Sequence, residues 1–200
     1  MKPAPGASGR RVTPAARRIL QVASELFYER GLQAVGVEAI AAGAGVTKKT
    51  LYDHFGSKDA LIAAYLAARD ESFRARVTEH VEQAGADATH RLLAVFDSLS
   101  EWMDTDNPRG CAFVNALAEL VAPDHPGRQV ALAEKEWLRD LFATLAAEVG
   151  VALPAQLANQ LLAVHEGAIV IYSVAADRDA AQTARDAAAA LVDNALRSGR

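Results

Sequence analysis

The amino-acid sequence predicts an all-α protein, in which a small N-terminal three-helix unit is joined to a larger helical bundle, with about nine helices in total. Apolar residues recur at intervals of three and four along most of the chain, and no segment sustains the alternation typical of a β-strand. Glycine and proline separate these periodic segments, where they end one helix and start the next. Because 51% of the 200 residues are hydrophobic, the chain is able to bury a core in one or two domains.

Three parts are expected along the chain. Residues 1–12 mix Pro, Gly and Ser without apolar periodicity and carry Arg10 and Arg11, so we expect a disordered basic arm. Residues 13–60 are expected to form the small helical domain, and residues 61–200 the larger one.

Four helices are predicted in the first third of the chain. Thr13 is a suitable N-cap for the first helix, and Gly31 ends it. Shorter helices are predicted over residues 37–43 and 47–55. Ser57 then caps a long fourth helix with one apolar stripe, which links the two domains.

Five further helices are predicted in the larger domain, separated by breaks that contain glycine or proline. The alanine-rich stretch in the last of them is interpreted as a terminal helix with a narrow packing face. Their expected ranges are about 88–103, 111–121, 126–149, 154–175 and 179–197.

The formal net charge of -4 hides an uneven distribution of charge. Residues 1–60 contain nine Lys and Arg against five Asp and Glu, whereas the remaining residues contain 12 against 20, which gives +4 and -8. A basic end on an acidic body suits a protein that meets phosphates with one face, because the acidic remainder limits non-specific binding. Chance segregation of surface charge is the alternative.

The sequence indicates a cytoplasmic protein without a membrane span. No signal peptide opens the chain, and the longest apolar stretch, residues 168–176, is too short to cross a bilayer. The single cysteine, Cys111, cannot form a disulfide within the chain or supply a thiolate zinc cluster. We therefore predict neither a metal nor a cofactor. Cys111 is interpreted either as a small buried residue or as a redox sensor.

Residues 37–55, VEAIAAGAGVTKKTLYDHF, carry the steric pattern of a helix-turn-helix. Ala41 is small where the two helices cross, and a bulkier side chain there would push them apart. Gly45 occupies the turn, where a positive φ costs least for glycine, and Thr47 caps the following helix. The expected buried contacts come from Ile40, Val46 and Leu51.

The second helix of this motif is predicted to expose a face that binds DNA. At about 100° per residue, Leu51 and Phe55 share the inward side of the helix, so the polar residues point outward. Lysines, hydroxyls and an aromatic ring there are suited to reach base edges and phosphates in a major groove. The alternative is a solvated hairpin in which Lys49 and Asp53 form an ordinary i, i+4 ion pair. The outward residues are Lys48, Lys49, Thr50, Tyr52, Asp53 and His54.

Residues 13–66 contain a series of landmarks, namely Leu26-Phe27, Gly31, Ile40-Ala41, Ala44-Gly45-Val46, the run TLYDHFGSK at residues 50–58, and Leu61. With these landmarks the segment resembles the DNA-binding end of the TetR family of regulators, which implies that the protein binds double-stranded DNA. Residues that the resemblance places at phosphates are Thr47, Tyr52, His54 and Lys58. Those that it places near bases are Lys48, Lys49 and Thr50.

Gly36 departs from the commonest pattern of that family. Many relatives carry a Ser or Thr there, which caps the next helix and touches phosphate. A glycine cap costs only a few tenths of a kcal/mol, so we expect the helix to form with one side-chain contact fewer to DNA. His54 is not interpreted as a catalytic base, because it lacks a nearby nucleophile and Asp53 points to a different face of the helix.

The larger domain resembles the family's regulatory domain mainly in architecture, and we expect it to bind an unidentified small-molecule effector. Its aromatic residues are suited to enclose an apolar or aromatic molecule, although such residues at helical spacing are more often core. Polar residues on apolar segments favour a pocket, and His165 is preferred to Glu166 because adjacent residues point about 100° apart. A hydrogen bond in the core or at the dimer interface is the more common role of such a histidine. The candidate ligand-binding residues are Phe96, Leu99, Trp102, Met103, Phe113, Asn115, Trp137, His165 and Tyr172.

A homodimer is expected, because one short helix reads few base pairs whereas two copies match the half-sites of a palindromic operator. Half-sites about 34 to 36 Å apart, or a multiple of that distance, fit this geometry. The resemblance implies that the helix at 154–175 and the final helix pair with their copies across a twofold axis. The candidate interface residues are Leu161, Gly167, Ala168, Ile169 and Leu191.

These features predict a transcription regulator, most simply a repressor that a small-molecule ligand releases from its operator. A sequestering protein that binds a ligand without touching DNA is one alternative. A helical enzyme that uses His165 and Glu166 as acid and base is another, but the sequence offers it no nucleophile, metal cluster or phosphate-binding glycine loop. We therefore do not expect an enzyme.

Overall fold

A computed structural model describes residues 13–105 and 109–198. Over these residues the chain forms nine α-helices and no β-strand, which confirms the predicted all-α fold. The predicted basic arm, with Arg10 and Arg11, lies outside the described residues. The helices are α1 (Pro14–Arg30), α2 (Val37–Ala44), α3 (Lys48–Phe55), α4 (Lys58–Gln83), α5 (Ala88–Asp104), α6 (Ala112–Glu119), α7 (Pro126–Val149), α8 (Pro154–Ala175) and α9 (Ala180–Ser198).

The chain divides into two compact units, Met1–Tyr65 and Leu66–Arg200. The division falls within α4, a little after the boundary expected at residue 60. The first unit therefore contains α1 to α3 and the start of α4, and the second contains the rest of α4 with α5 to α9.

The predicted cap signals form at both ends of α1. Thr13 Oγ1 accepts a hydrogen bond from the backbone N–H of Ala16 at 3.1 Å, and Pro14 occupies the first helical position. Gly31 follows the helix with a φ of 92°, and its N–H donates to the carbonyl of Phe27. These bonds satisfy backbone groups that a helix end otherwise leaves unpaired. They fix the length of the helix against which α2 and α3 pack.

The corner between α2 and α3 depends on Gly45, as the sequence predicts. Its φ of 65° and ψ of 36° are left-handed, a conformation that glycine adopts without a steric penalty. Ile40 and Leu51 are fully buried at this corner, and Ala41 is 4% exposed. Val46 is only half-buried, so it packs less completely than expected.

Gly43 has a structural role that the sequence analysis did not identify. A Cβ atom at this position would lie 2.8 Å from Val22 Cγ1 on α1, closer than real Cβ contacts occur. At this point α2 lies so close to α1 that only a glycine fits between them. This contact sets the position of α2 and, through the Gly45 corner, that of α3.

Large apolar side chains fill the core of the first unit. The rings of Phe27 on α1 and Tyr65 on α4 lie 5.7 Å apart, and both side chains are at most 2% exposed. Each such side chain contributes about 1.5–3 kcal/mol when it is fully buried. The other members of this core include Ile19, Ala23, Leu61 and Ile62.

The core of the second unit is formed mainly by α5, α7, α8 and α9. Phe96 on α5 and Phe142 on α7 are at most 1% exposed, and their rings lie 5.7 Å apart. The alanine-rich α9 packs through a narrow face, as predicted, and from Ala181 onward its buried residues recur at intervals of three and four. These buried residues are Ala180, Ala181, Ala184, Ala188 and Val192.

Within the described residues, α8 is the one helix long and apolar enough to cross a membrane by length and composition, with a mean hydropathy of 1.2 over its best window. A core helix of a soluble protein meets the same criterion. The helix packs against both α7 and α9 and carries His165 and Glu166, which a lipid-facing segment disfavours.

Candidate functional site

The N-terminus of α3 is held by the predicted cap. Thr47 Oγ1 accepts a hydrogen bond from the Thr50 backbone N–H at 3.1 Å, and the two hydroxyl oxygens lie 2.9 Å apart. Leu51 is fully buried and Phe55 is half-buried, so one side of this short helix faces the unit's core. The opposite side is therefore presented to solvent.

The structure exposes the side of α3 that the sequence predicts to contact DNA. Tyr52 is 42% exposed, although a ring of this size is usually more buried. Lys49 Nζ donates to Asp53 Oδ2 at 2.8 Å, and these side chains are 83% and 58% exposed. Lys48 and His54 are also exposed, and Thr50 is half-buried.

Two further predicted contact residues lie at the margins of this surface. Lys58 is half-buried at the start of α4, and its Nζ donates to the backbone carbonyl of Gln33 at 3.3 Å. Gly36 is the N-cap of α2 with a φ of -82°, and it supplies no side-chain capping bond. Gly36 is exposed, and a Cβ atom at this position would lie 3.1 Å from Glu38 Oε2.

An ion pair that the sequence does not predict joins the two helices of the motif. Lys48 at the start of α3 bonds to Glu38 in the first turn of α2. The hydrogen bond from Lys48 lowers the pKa of Glu38, and the charge of Lys48 acts in the same direction. The pair spans ten residues of sequence, which no helical spacing rule connects.

Both lysines of α3 therefore have an acidic partner in the free protein. Lys48 pairs with Glu38 and Lys49 pairs with Asp53. The exposed side of α3 is thus a mixed surface, and its positive potential is weaker than the lysine content alone implies. Any group that binds there must compete with these carboxylates or make use of them.

In the second unit, several of the predicted ligand-binding residues contact different parts of the protein. Trp102 lies 6.2 Å from the ring of Tyr172, whose hydroxyl donates to the carbonyl of Met103 at 2.7 Å. Asn115 donates its amide to the carbonyl of Arg109 at 2.9 Å, so that amide holds a loop. The other buried members of the predicted set are Phe96, Leu99, Phe113 and His165, and Trp137 is half-buried.

A connected chain of ionisable side chains lies inside the second unit, around Lys135 of α7. Lys135 Nζ donates to Glu166 Oε1 on α8 at 2.7 Å, and it lies 3.0 Å from Glu134 Oε2. Lys135 Nζ also donates to Cys111 Sγ at 3.4 Å. His165 Nδ1 lies 3.3 Å from Glu166 Oε1 and extends the chain. We refer to these five side chains as the Lys135 cluster.

The structure corrects the argument that separated His165 from Glu166. Adjacent residues on a helix do leave the backbone in different directions, but the flexible Glu166 side chain turns back to meet the imidazole. Lys135 was not predicted at all. It is the only lysine after residue 58, and a lone lysine between apolar helical positions is a signal that could have indicated a buried ion pair.

Burial and neighbouring charges shift the pKa values in the Lys135 cluster. Burial raises the pKa of Glu134 to about 7. Burial also acts to raise the pKa of Glu166, but hydrogen bonds and charge from His165 and Lys135 outweigh it and bring this pKa to about 2. Burial acts to lower the pKa of Lys135, yet the acidic groups around it raise it. Glu166 and Lys135 are therefore ionised at neutral pH.

Burial is the main cause of the pKa shifts of the remaining two members, His165 and Cys111. It lowers the pKa of His165 below its ordinary value, so the imidazole is neutral at pH 7. It raises the pKa of the Cys111 thiol, even with the Lys135 ammonium beside it. A thiol that stays protonated reacts slowly with oxidants, which favours a packing role for Cys111, whose side chain is half-buried.

His165 Nε2 has no hydrogen-bond partner among the described residues, whereas Glu134 Oε2 forms no well-aligned hydrogen bond but lies 3.0 Å from the Lys135 ammonium. Both side chains are about 1% exposed. Because Nδ1 of the neutral imidazole faces a carboxylate, Nδ1 holds the proton and Nε2 is left as an acceptor. Aromatic rings surround this imidazole, with centroids 6.0 to 6.4 Å away, namely those of Phe73, Phe96 and Phe142.

The structure places most of the predicted dimer-interface residues inside the protomer, and their role in an interface stays a prediction. Leu161, Ala168 and Ile169 are at most 6% exposed and form part of the protomer's own core, so they have almost no surface to offer a partner. Leu191 is half-buried and packs against the same core. Gly167 alone of the five lies on an open side, where a Cβ would meet nothing within 4 Å. The exposed apolar residues on that side of α8 are Val170, Ile171 and Val174.

The second helix of this helix-turn-helix is capped and faces outward on a small unit of its own, and a larger helical unit follows it. This combination defines a DNA-binding transcription regulator. Two family models match the chain in the same arrangement. "Bacterial regulatory proteins, tetR family" covers residues 19–65, and "Tetracyclin repressor-like, C-terminal domain" covers residues 88–188. The chain belongs to the TetR family of transcription regulators, a family of regulators rather than of enzymes.

Solved structures agree with this assignment over nearly the whole chain. SCO4454, a TetR-family regulator of Streptomyces coelicolor, is 33% identical, with a TM-score of 0.80 over 92% of this chain and 95% of that one. A TetR-type regulator of Streptomyces avermitilis is 31% identical, with a TM-score of 0.77 over 92% and 98%.

Curated relatives match over a shorter length. An uncharacterised HTH-type regulator of Mycobacterium tuberculosis is 29% identical over 63% of this chain and 61% of its own length. The repressor KstR2 of Rhodococcus jostii is 32% identical over 58% of this chain and 54% of its own length. The matched region thus spans little more than half of these relatives, so their names fix the class of protein and leave its effector open.

Proposed function

We propose that this protein is a repressor that binds a palindromic operator as a homodimer in the cytoplasm and is released when a small molecule occupies the second unit. The observation that carries the proposal is the exposed side of α3, with Tyr52, Lys49 and the Thr47 cap turned away from the core. Burial of an apolar face fixes the helix, and the exposed polar face is left free to enter a groove.

The dimer is supported by the apolar residues left exposed on α8. Val170 is 56% exposed, Ile171 45% and Val174 82%, and with Gly167 they recur at intervals of three and four on one side of the helix. Exposed apolar residues grouped in this way mark interaction surfaces in soluble proteins. A second copy of the same helix is the partner that twofold symmetry supplies.

The effector site is supported by the Lys135 cluster. A neutral molecule with an apolar body and a hydrogen-bond donor would satisfy His165 Nε2, which is an acceptor in the neutral imidazole and has no partner among the described residues. An effector releases DNA only if it binds the non-operator conformation more tightly than the operator-bound one. A polar cluster that joins α7 and α8 is suited to that purpose, because a new hydrogen bond there alters how two long helices pack.

Operator release tests both parts of the proposal. Wild-type protein is first bound to a duplex taken from the DNA beside its coding gene, and a small-molecule extract of the source cells is then added. We expect the extract to release wild type, whereas His165→Phe stays bound because it lacks the acceptor. His90→Phe, which alters an exposed histidine of the same unit, serves as the control and should be released like wild type. Equal release of both variants would exclude His165 from the effector site.

A further inference from the structure

Asp53 occupies the outermost position of α3. At about 100° per residue, it lies about 180° from the mean direction of Leu51 and Phe55, the two residues that face the core. Its side chain is 58% exposed. If α3 enters a major groove with its core-facing side turned back to the protein, Asp53 points at the floor of that groove.

A carboxylate in this position requires an explanation, because the phosphates that flank a groove repel it. The structure provides part of one, since Lys49 donates to Asp53 at 2.8 Å and neutralises much of its charge. Lys48 does not do so, because it is paired with Glu38 on α2. The centre of the exposed face is thus a Lys–Asp pair that offers one donor group and one acceptor group side by side.

The chemistry of base edges selects a partner for the acceptor. Amino groups of cytosine and adenine are the hydrogen-bond donors in the major groove. Adenine places its N7 acceptor next to that amino group, and this acceptor repels a carboxylate. Cytosine presents only the amino group, so it is the base that a carboxylate prefers. A lysine beside the carboxylate is suited to guanine, whose O6 and N7 are both acceptors.

We infer that Asp53 is a specificity-determining residue that accepts a hydrogen bond from the 4-amino group of one cytosine in each operator half-site, while Lys49 donates to a neighbouring guanine. The inference rests on the proposed entry of α3 into the major groove. It concerns a residue outside the predicted contact set, and it assigns Lys48 to holding α3 against α2 through Glu38 rather than to reading a base.

Selection of binding sites from a random duplex library tests the inference with the full chain. Wild type should recover a C·G pair at one fixed position in each half-site. Asp53→Asn should shift that position alone toward A·T, because an amide pairs with the N6 and N7 atoms of adenine. Glu25→Gln removes an exposed acid of α1 and should leave the recovered sequence unchanged.

A modified duplex gives a second readout that needs no variant. Replacing the cytosine by 2-pyrimidinone, which lacks the 4-amino group, should weaken wild-type binding about tenfold and leave binding by Asp53→Ala unchanged. An unchanged preference in Asp53→Asn, or equal loss for wild type and Asp53→Ala, would overturn the role of Asp53 while duplex binding itself persists. Failure of wild type to bind any duplex would overturn the proposed function as well.

Discussion

Gly43→Ala tests the packing that positions the DNA-binding helices. A Cβ atom at this position would lie 2.8 Å from Val22 Cγ1, so one helix must shift or Val22 must leave its rotamer. Such overpacking costs about 1–3 kcal/mol. In the opposite direction, alanine gains about 1 kcal/mol over glycine within a helix. The net expectation is a loss of about 1 kcal/mol in the free energy of unfolding.

Whether Gly43→Ala lowers or raises the free energy of unfolding should depend on the side chain at Val22. In a Val22→Ala background the clashing methyl groups are absent, so Gly43→Ala should there stabilise the protein by about 1 kcal/mol. Urea denaturation of the four proteins in this cycle gives both values. Ala42→Gly, at the preceding exposed position, calibrates the helix-propensity term without a clash. The packing argument is refuted if Gly43→Ala has the same sign in both backgrounds.

Four further predictions concern DNA binding, assembly and pH. Tyr52→Ala and Lys58→Ala should each weaken duplex binding in an anisotropy titration, with little change in the melting temperature of the protein. Lys58→Ala should also reduce the dependence of the affinity on salt. Normal affinity in both variants would exclude the exposed side of α3 and the start of α4 as the DNA-binding surface. Glu38→Gln should free Lys48 and steepen the salt dependence by up to about two units per dimer; a lower slope would contradict this. Val174→Glu should convert the dimer to a monomer in sedimentation, and an intact dimer would place the interface elsewhere. Because the pKa of Glu134 is raised to about 7 on folding, its contribution to the free energy of unfolding falls as pH rises from about 4.5 to 7. Glu134→Gln should remove this fall, whereas Glu136→Gln, at an exposed position, should keep it. If the two variants show the same dependence of stability on pH, the assignment to Glu134 is refuted.

The first unit was largely predictable from the sequence, because its determinants are local. Thr13 and Thr47 cap helices within three residues, and Gly45 adopts the left-handed conformation that the turn requires. Leu51 reaches the core because helical spacing fixes its direction relative to Phe55. The role of Gly43 was missed, since it depends on a side chain of a different helix, Val22.

The second unit was less predictable, because its decisive contacts join distant residues. Lys135 and Glu166 are 31 residues apart, and no local spacing rule connects them. The α8 helix is apolar on more than one side, so periodicity alone does not show which side meets the protomer core. The sequence makes Leu161 and Ile169 candidates for the dimer interface. In the protomer these two side chains are buried, whereas Val170 and Val174 are exposed.

The central claim is that the exposed side of α3 binds duplex DNA. The most direct test is how the affinity of the full chain for a duplex depends on salt concentration. Lys49 is paired with Asp53 and is assigned to a base, so Lys58 in two copies supplies about two phosphate-binding cations. The slope of the logarithm of the association constant against the logarithm of the salt concentration should therefore be about -1.8. Affinity should then fall about tenfold between about 50 and 200 mM salt, with two protomers bound per duplex. A chain that leaves duplexes unbound at about 50 mM salt, or binds them with no dependence on salt, would contradict the claim.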